Sequence, residues 1–193
     1  MFFNGFPTDL KDDVLVVIKT ISMKTYHNTK NGLSENFCDY TLLDSQTISF
    51  PYRIYFIDVY NTLPSAFTFE QRMIYHAIFT RSCDGFVREK HLKAILSEDF
   101  PSWIIPYIVK LTDEYIVEIL DATYQMLNRE KADEIKAFCQ LNIQSFLRSY
   151  DRMISYWNEF YRNKCFLYKN YIGKKLYSDC FGYTRSMEKL RIK

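Results

Sequence analysis

Apolar residues recur at steps of three and four along most of this chain, the spacing that gathers them on one face of an α-helix. Leu10, Val14, Val17, Ile18 and Ile21 open the pattern, and Asp9 ahead of them predicts a capped helix reaching about Tyr26. Phe69, Met73, Ile74, Ala77 and Ile78 form a second stripe that ends near Arg81, behind a Thr68–Gln71 pair at capping-box spacing. Asp84-Gly85 breaks that helix, and Asp84 is placed as the cap of a third with Val87, His91, Leu92, Ile95 and Leu96 on one face. Pro101 and Pro106 bracket a short helix through Leu111, since proline is tolerated in a first turn and poorly elsewhere. Asp113 is placed as the cap of a helix from Tyr115 to Leu127. From about Asp133 the steps of three and four continue through Phe138, Phe146, Tyr150, Met153, Trp157 and Tyr161, which predicts one long helix or two broken near Asn142. Beyond Lys164 come Tyr168, Tyr171, Tyr177, Phe181 and Tyr183, a density of rings expected of a tail that docks rather than a free end.

The period departs from helical in one region. Residues 27–46, with Asn28, Asn31-Gly32 and Ser34, read as a loop-rich insertion and the place for a mobile segment. From Thr47 to Val59, Ile48, Phe50, Tyr52, Ile54 and Phe56 alternate with Ser49, Pro51, Arg53 and Tyr55, so a short strand or extended arm is predicted near 47–57. Pro51, which cannot donate to a ladder, confines any such strand to an edge.

Two capped segments also align with each other. Asp84-Gly85-Phe86-Val87-Arg88-Glu89 and Asp113-Glu114-Tyr115-Ile116-Val117-Glu118 stand 29 residues apart, each with an acidic residue, then an aromatic and then a β-branched one. With Pro106-Tyr107-Ile108-Val109-Lys110-Leu111 between them, residues 68–128 resemble bacterial HEAT-like helical repeat proteins. The resemblance implies helix pairs stacked into a curved array that binds partners. The fold class expected is all-α in the main, an irregular helical bundle or a short HEAT-like array, in a single helical domain covering 1–193.

Composition narrows the classes. At 48% hydrophobic and 25% charged the chain belongs with globular sequences. An 18% aromatic share, beside only 5 Gly and 5 Pro, favours helices packed through rings. The first residues lack the charged start and apolar run of a signal peptide, and the longest apolar stretches fall far below a membrane span, so a cytoplasmic protein with no membrane partner is expected. Five widely spaced cysteines without a CxxC pair are read as reduced thiols. Net charge is only +2, but residues 1–135 carry 13 basic and 19 acidic side chains while 136–193 carry 12 and 4. That split suits either a polyanion-binding C-terminal part or two attracting portions of one fold.

Chemistry-bearing motifs are sparse. His27, His76 and His91 have no i, i+3 or i, i+4 spacing for a metal, and His76, between Met73 and Phe79, is read as a satisfied half-buried histidine. Cys83 lies between the two helices that carry His76 and His91, without the residues that mark a nucleophilic cysteine. No glycine-rich phosphate loop occurs, and no catalytic residue, cofactor or metal is expected. The segment richest in candidates is basic and aromatic: Arg148, Arg152 and Arg162 interleave with Tyr156, Trp157 and Tyr161. Such a run can grip phosphates and stack bases. Helical spacing favours instead core rings, with the cations paired to the acidic N-terminal part. The function expected is a non-enzymatic interaction domain, in an accessory or immunity-like role, whose partner is another protein. The alternatives are nucleic-acid binding through the C-terminal third, and an enzyme with an unrecognised site.

Overall fold

A computed structural model describes residues 2–21, 24–26, 32–60 and 63–191. These fall into two compact units, Met1–Ile104 and Ile105–Lys193. The division lies inside the apolar run from Trp103 to Val109, so no polar or Gly-rich linker announces it in the sequence.

The first unit holds α1 (Lys11–Thr20), β1 (Phe37–Thr41), β2 (Thr47–Pro51), α2 (Phe69–Phe79) and α3 (Gly85–Leu96). Asp9 sits in a 3-10 turn before α1, and Leu10 occupies the cap position without a side-chain bond, so the first helix is shorter than its apolar spacing suggests. The loop-rich reading of 27–46 is corrected in part: Phe37–Thr41 is a strand, paired antiparallel with β2 so that Tyr40 faces Ile48 and Cys38 faces Phe50. Residues 27–31 lie outside the described residues. Alternation in β2 buries Ile48 and Phe50, and Pro51 closes the strand opposite Phe37.

Thr68 caps α2 in a complete capping box with Gln71. Met73, Ile74, Ala77 and Ile78, on the buried face, pack α2 against α1 and α3. Asp84 caps α3, its carboxylate accepting from the backbone N–H of Phe86 at 2.8 Å and of Val87 at 3.4 Å. Asp84→Ala is expected to cost about 0.5–2 kcal/mol in urea unfolding; an unchanged midpoint would contradict the capping role. Ile54 then ties an extended arm to the turn between α2 and α3, donating to Arg81 O at 2.7 Å and accepting from Cys83 N at 2.8 Å. On its other edge the arm bonds residues 24–26 through Tyr26 N to Tyr55 O and Ile57 N to Lys24 O. This double tether carries Asp58 into the side of α3.

The second unit holds α4 (Ile105–Leu111), α5 (Val117–Met126), α6 (Ala132–Leu141), α7 (Ile143–Tyr156) and α8 (Ile172–Lys175). The long apolar pattern breaks at Asn142, whose backbone (φ −107°, ψ 37°) leaves the helical region between α6 and α7. Wide π-type turns extend α7 over Trp157–Tyr161 and α8 over Leu176–Cys180. The tail docks: Tyr177 stacks on Phe146 at 5.4 Å, Phe181 is buried, and Gly173 lets α8 approach Met153 so closely that a Cβ there would lie 2.7 Å from its sulfur. The fold is mainly α with one two-stranded sheet among the described residues. No described helix is long and apolar enough to cross a membrane.

Candidate functional site

Helix α7 has two faces set by its spacing. Phe146, Leu147, Tyr150 and Met153 point into the core of the second unit. Arg148, Arg152, Tyr156 and Phe160 follow at steps of four on the other side. The three candidate cations Arg148, Arg152 and Arg162 are all exposed. Arg148 donates to Ser145 Oγ at 3.0 Å and Arg162 to Asn158 Oδ1 at 3.0 Å. Arg152 reaches the acid-rich portion of the chain, donating to Asp113 Oδ2 at 3.4 Å.

The candidate rings are not core, which corrects the expectation drawn from their spacing. Tyr156, Trp157 and Tyr161 are half-buried, and Phe160 is 54% exposed. The π-type turn is the physical reason: widening the helix after Tyr156 rotates the following residues off the buried stripe of α7. The rings then separate into two groups. Trp157 and Tyr161 turn toward the tail, Trp157 against Tyr168 at 4.8 Å with its indole N–H on Cys165 O, and Tyr161 stacked on Tyr171 at 5.9 Å. Tyr156 and Phe160 turn outward and close a triangle with Tyr115, each pair of ring centroids 6.1 Å apart.

Tyr115 reaches that triangle because the turn before α5 is held from α7. The Tyr161 hydroxyl donates to Tyr115 O and accepts from Val117 N at 3.3 Å. Asp113 is accordingly no helix cap, contrary to its sequence placement: Ile116 occupies the cap position of α5. The Asp113 carboxylate is instead buried, paired with Lys110 and accepting from Ser149 at 3.2 Å and from Arg152. An acidic residue four positions before a helix can close a buried ion pair as readily as cap the helix, and sequence alone does not separate the two.

One turn further on, Arg162 lies 6.0 Å from the Trp157 ring and 5.8 Å from Phe166, which is 72% exposed, and Leu167 beside it is also exposed. Phe160, Phe166, Leu167 and Tyr115 were missed as site residues by sequence reading. The available signal covers Phe160 alone, whose ring falls outside the buried stripe once a break after Tyr156 is allowed. Asp151 is held by Arg191 in a two-pronged bond at 2.6 and 2.8 Å, and Glu159 stands exposed on the same segment.

Elsewhere, His76 is bonded through Nδ1 to a ring nitrogen of His91, and Cys83 is a half-buried thiol that burial and Asp84 push upward, away from nucleophilic duty. Among the described residues no group of three or more His, Cys, Asp or Glu side chains is arranged to hold a metal. No family model, curated protein or solved structure gives a significant match to this chain.

Proposed function

We propose that this chain is an interaction domain whose second unit binds an acidic, partly apolar segment of another protein on the outward face of α7. The observation that supports it most is ring exposure. Phe160, in the turn that extends α7, and Tyr115, in the turn before α5, remain 54% and 53% exposed beside Tyr156, while the opposite face of α7 is buried. Apolar area left in water forgoes about 25 cal/mol per Å², which a covering partner recovers. Tyr, Phe and Arg together are also the composition of protein-binding hot spots.

Charge selects the kind of partner. Arg148, Arg152 and Arg162 flank the rings, so the complementary surface is acidic. One feature favours a protein over a nucleic acid: Leu167 beside the exposed Phe166 offers an aliphatic surface on which bases do not stack. The resemblance of residues 68–128 to partner-binding helical repeats agrees in kind. A cytoplasmic setting, supported by the odd number and wide spacing of the cysteines, completes the reading.

The test is a fluorescence-anisotropy titration at 150 mM salt with two labelled probes: a peptide alternating Asp or Glu with Leu or Phe, and an oligothymidylate single strand. The peptide is expected to bind, and Tyr156→Ala and Phe160→Ala each to weaken it by about 1–2 kcal/mol, roughly five- to thirty-fold. Preference for the oligonucleotide, with log affinity falling steeply with log salt and lost on replacing Arg148, Arg152 and Arg162 together, would overturn the protein reading.

A further inference from the structure

The first unit contains a chain of hydrogen bonds that the interaction surface does not use. The Asp58 carboxylate, 3% exposed, accepts from the Tyr75 hydroxyl at 2.8 Å on one oxygen, and from Lys90 Nζ at 2.7 Å and His91 Nε2 at 3.0 Å on the other. His91 Nδ1 in turn lies 2.8 Å from His76 Nδ1. The rings of Tyr75 and Phe79 enclose His91, with Phe79 stacked at 5.3 Å.

Proton positions in this chain follow by elimination. Burial on its own raises the Asp58 carboxyl, but bonds from His91, Lys90 and Tyr75 outweigh it and hold Asp58 well below the usual carboxylate range. An ionised carboxylate only accepts, so His91 carries its proton on Nε2. Burial keeps His91 neutral, which leaves a lone pair on its Nδ1. His76 must therefore donate from Nδ1. A neutral imidazole with its proton there has a lone pair on Nε2. That atom has no hydrogen-bond partner among the described residues, and it is not enclosed, on a ring that is only half-buried.

We propose that Asp58, His91 and His76 form a proton relay that makes Nε2 of His76 a nucleophilic centre toward electrophilic acyl compounds, activated esters in particular. In the step, the Nε2 lone pair adds to the ester carbonyl carbon, and the tetrahedral adduct collapses by breaking the carbon–oxygen bond and expelling the alcohol as its anion. The Nδ1 proton of His76 passes to Nδ1 of His91, whose new positive charge is held against Asp58. Water then adds to the acyl-imidazole carbon, its second proton passes to the alcohol anion, and the carboxylic acid is released. The proton returns from His91 to His76, and the sum is ester plus water giving acid plus alcohol. His76 is the catalytic residue here, while His91 and Asp58 position its proton.

The surroundings give this centre a signature. Burial first, then the neighbouring His91, Lys90 and Arg72, push His76 down to about 3, against a smaller upward pull from Asp58. An ordinary imidazole loses its lone pair tenfold per pH unit below about 6.5. The lone pair on His76 persists well into acid.

The probe is p-nitrophenyl acetate with the intact chain, followed at the wavelength where phenol and phenolate absorb equally, with acetylated peptides mapped by mass spectrometry. The expected result is acetyl on His76, at a rate level from pH 8 to about pH 4 and at least tenfold lower after His76→Gln. Asp58→Asn and His91→Gln are expected to slow acetylation by removing the acceptor for the Nδ1 proton, in protein whose circular dichroism shows it folded. Nitrogen-15 shifts of the unaltered protein supply a test that needs no variant, with hydrogen on Nδ1 of His76 and Nε2 of His91. The opposite tautomer on either ring, no acetyl on His76, or a rate on His76 that titrates near 6.5 would each overturn the relay.

Discussion

Replacing Asp58 with alanine is expected to destabilise the first unit by about 3–5 kcal/mol, the range for removing one partner of a buried charge network. The size follows from what the carboxylate satisfies. Tyr75 is fully buried and donates its hydroxyl to Asp58, and His91, 1% exposed, donates its Nε2 proton. Each orphaned donor costs about 1–3 kcal/mol, because no water reaches it in exchange. Lys90 adds little, since its side chain is 46% exposed and can turn to solvent. Asp58→Asn keeps one acceptor oxygen and should lie between. Urea unfolding followed by near-ultraviolet circular dichroism measures the loss, and a change below about 1 kcal/mol would show that the carboxylate does not organise this core.

The second large effect is loss of stability in mild acid. Unfolded histidines take up protons near pH 6.5. Folded His91 is held neutral below that value, chiefly by burial, and His76 is pushed down to about 3. Acid therefore favours the unfolded chain. The stabilisation is complete above about pH 6.5 and drains as pH falls toward the folded values, by about 1.4 kcal/mol per pH unit for each histidine that stays neutral. His76 is only half-buried, so its share is the smaller. Asp58, depressed by its donors, acts in the same direction at lower pH, losing its contribution only below about 4. Urea midpoints from pH 7.5 to pH 4.5 should fall steadily, and His76→Gln should flatten part of that fall. A midpoint independent of pH over this range would contradict buried neutral histidines.

Much of the helical framework was legible because its signals are local. Thr68 with Gln71, Asp84 with Gly85, and the break at Asn142 each act within a single turn of chain, and the structure places a boundary at each. Asp9 and Asp113 show the limit of the same rule. An acidic residue ahead of an apolar stripe is also free to stay in a turn or to pair with a lysine three residues back, and only tertiary contacts decide. The strand Phe37–Thr41 was hidden by its polar Asp39 and Thr41, which suit a two-stranded sheet with open edges.

The surface was half legible. Arg148, Arg152, Arg162 and their neighbouring rings stood out as a cluster, but continuing the helical period through Tyr161 assigned the rings to the core, and the π-type turn after Tyr156 breaks that period. The relay was not legible at all. Asp58 lies 33 residues from His91 in sequence and reaches it only because Ile54 and Tyr55 pin the extended arm between two neighbours.

The proposal that the outward face of α7 is the binding surface is tested most directly by aromatic carbon-13 spectra of the full chain, titrated with the acidic amphipathic peptide. Signals of Tyr115, Tyr156, Phe160 and Phe166 are predicted to shift together and saturate at one dissociation constant, while those of the buried Phe146, Tyr177 and Phe181 stay in place. Shifts confined to exposed rings of the first unit, such as Phe86, or no shift in the Tyr115, Tyr156 and Phe160 triangle at saturating peptide, would contradict it.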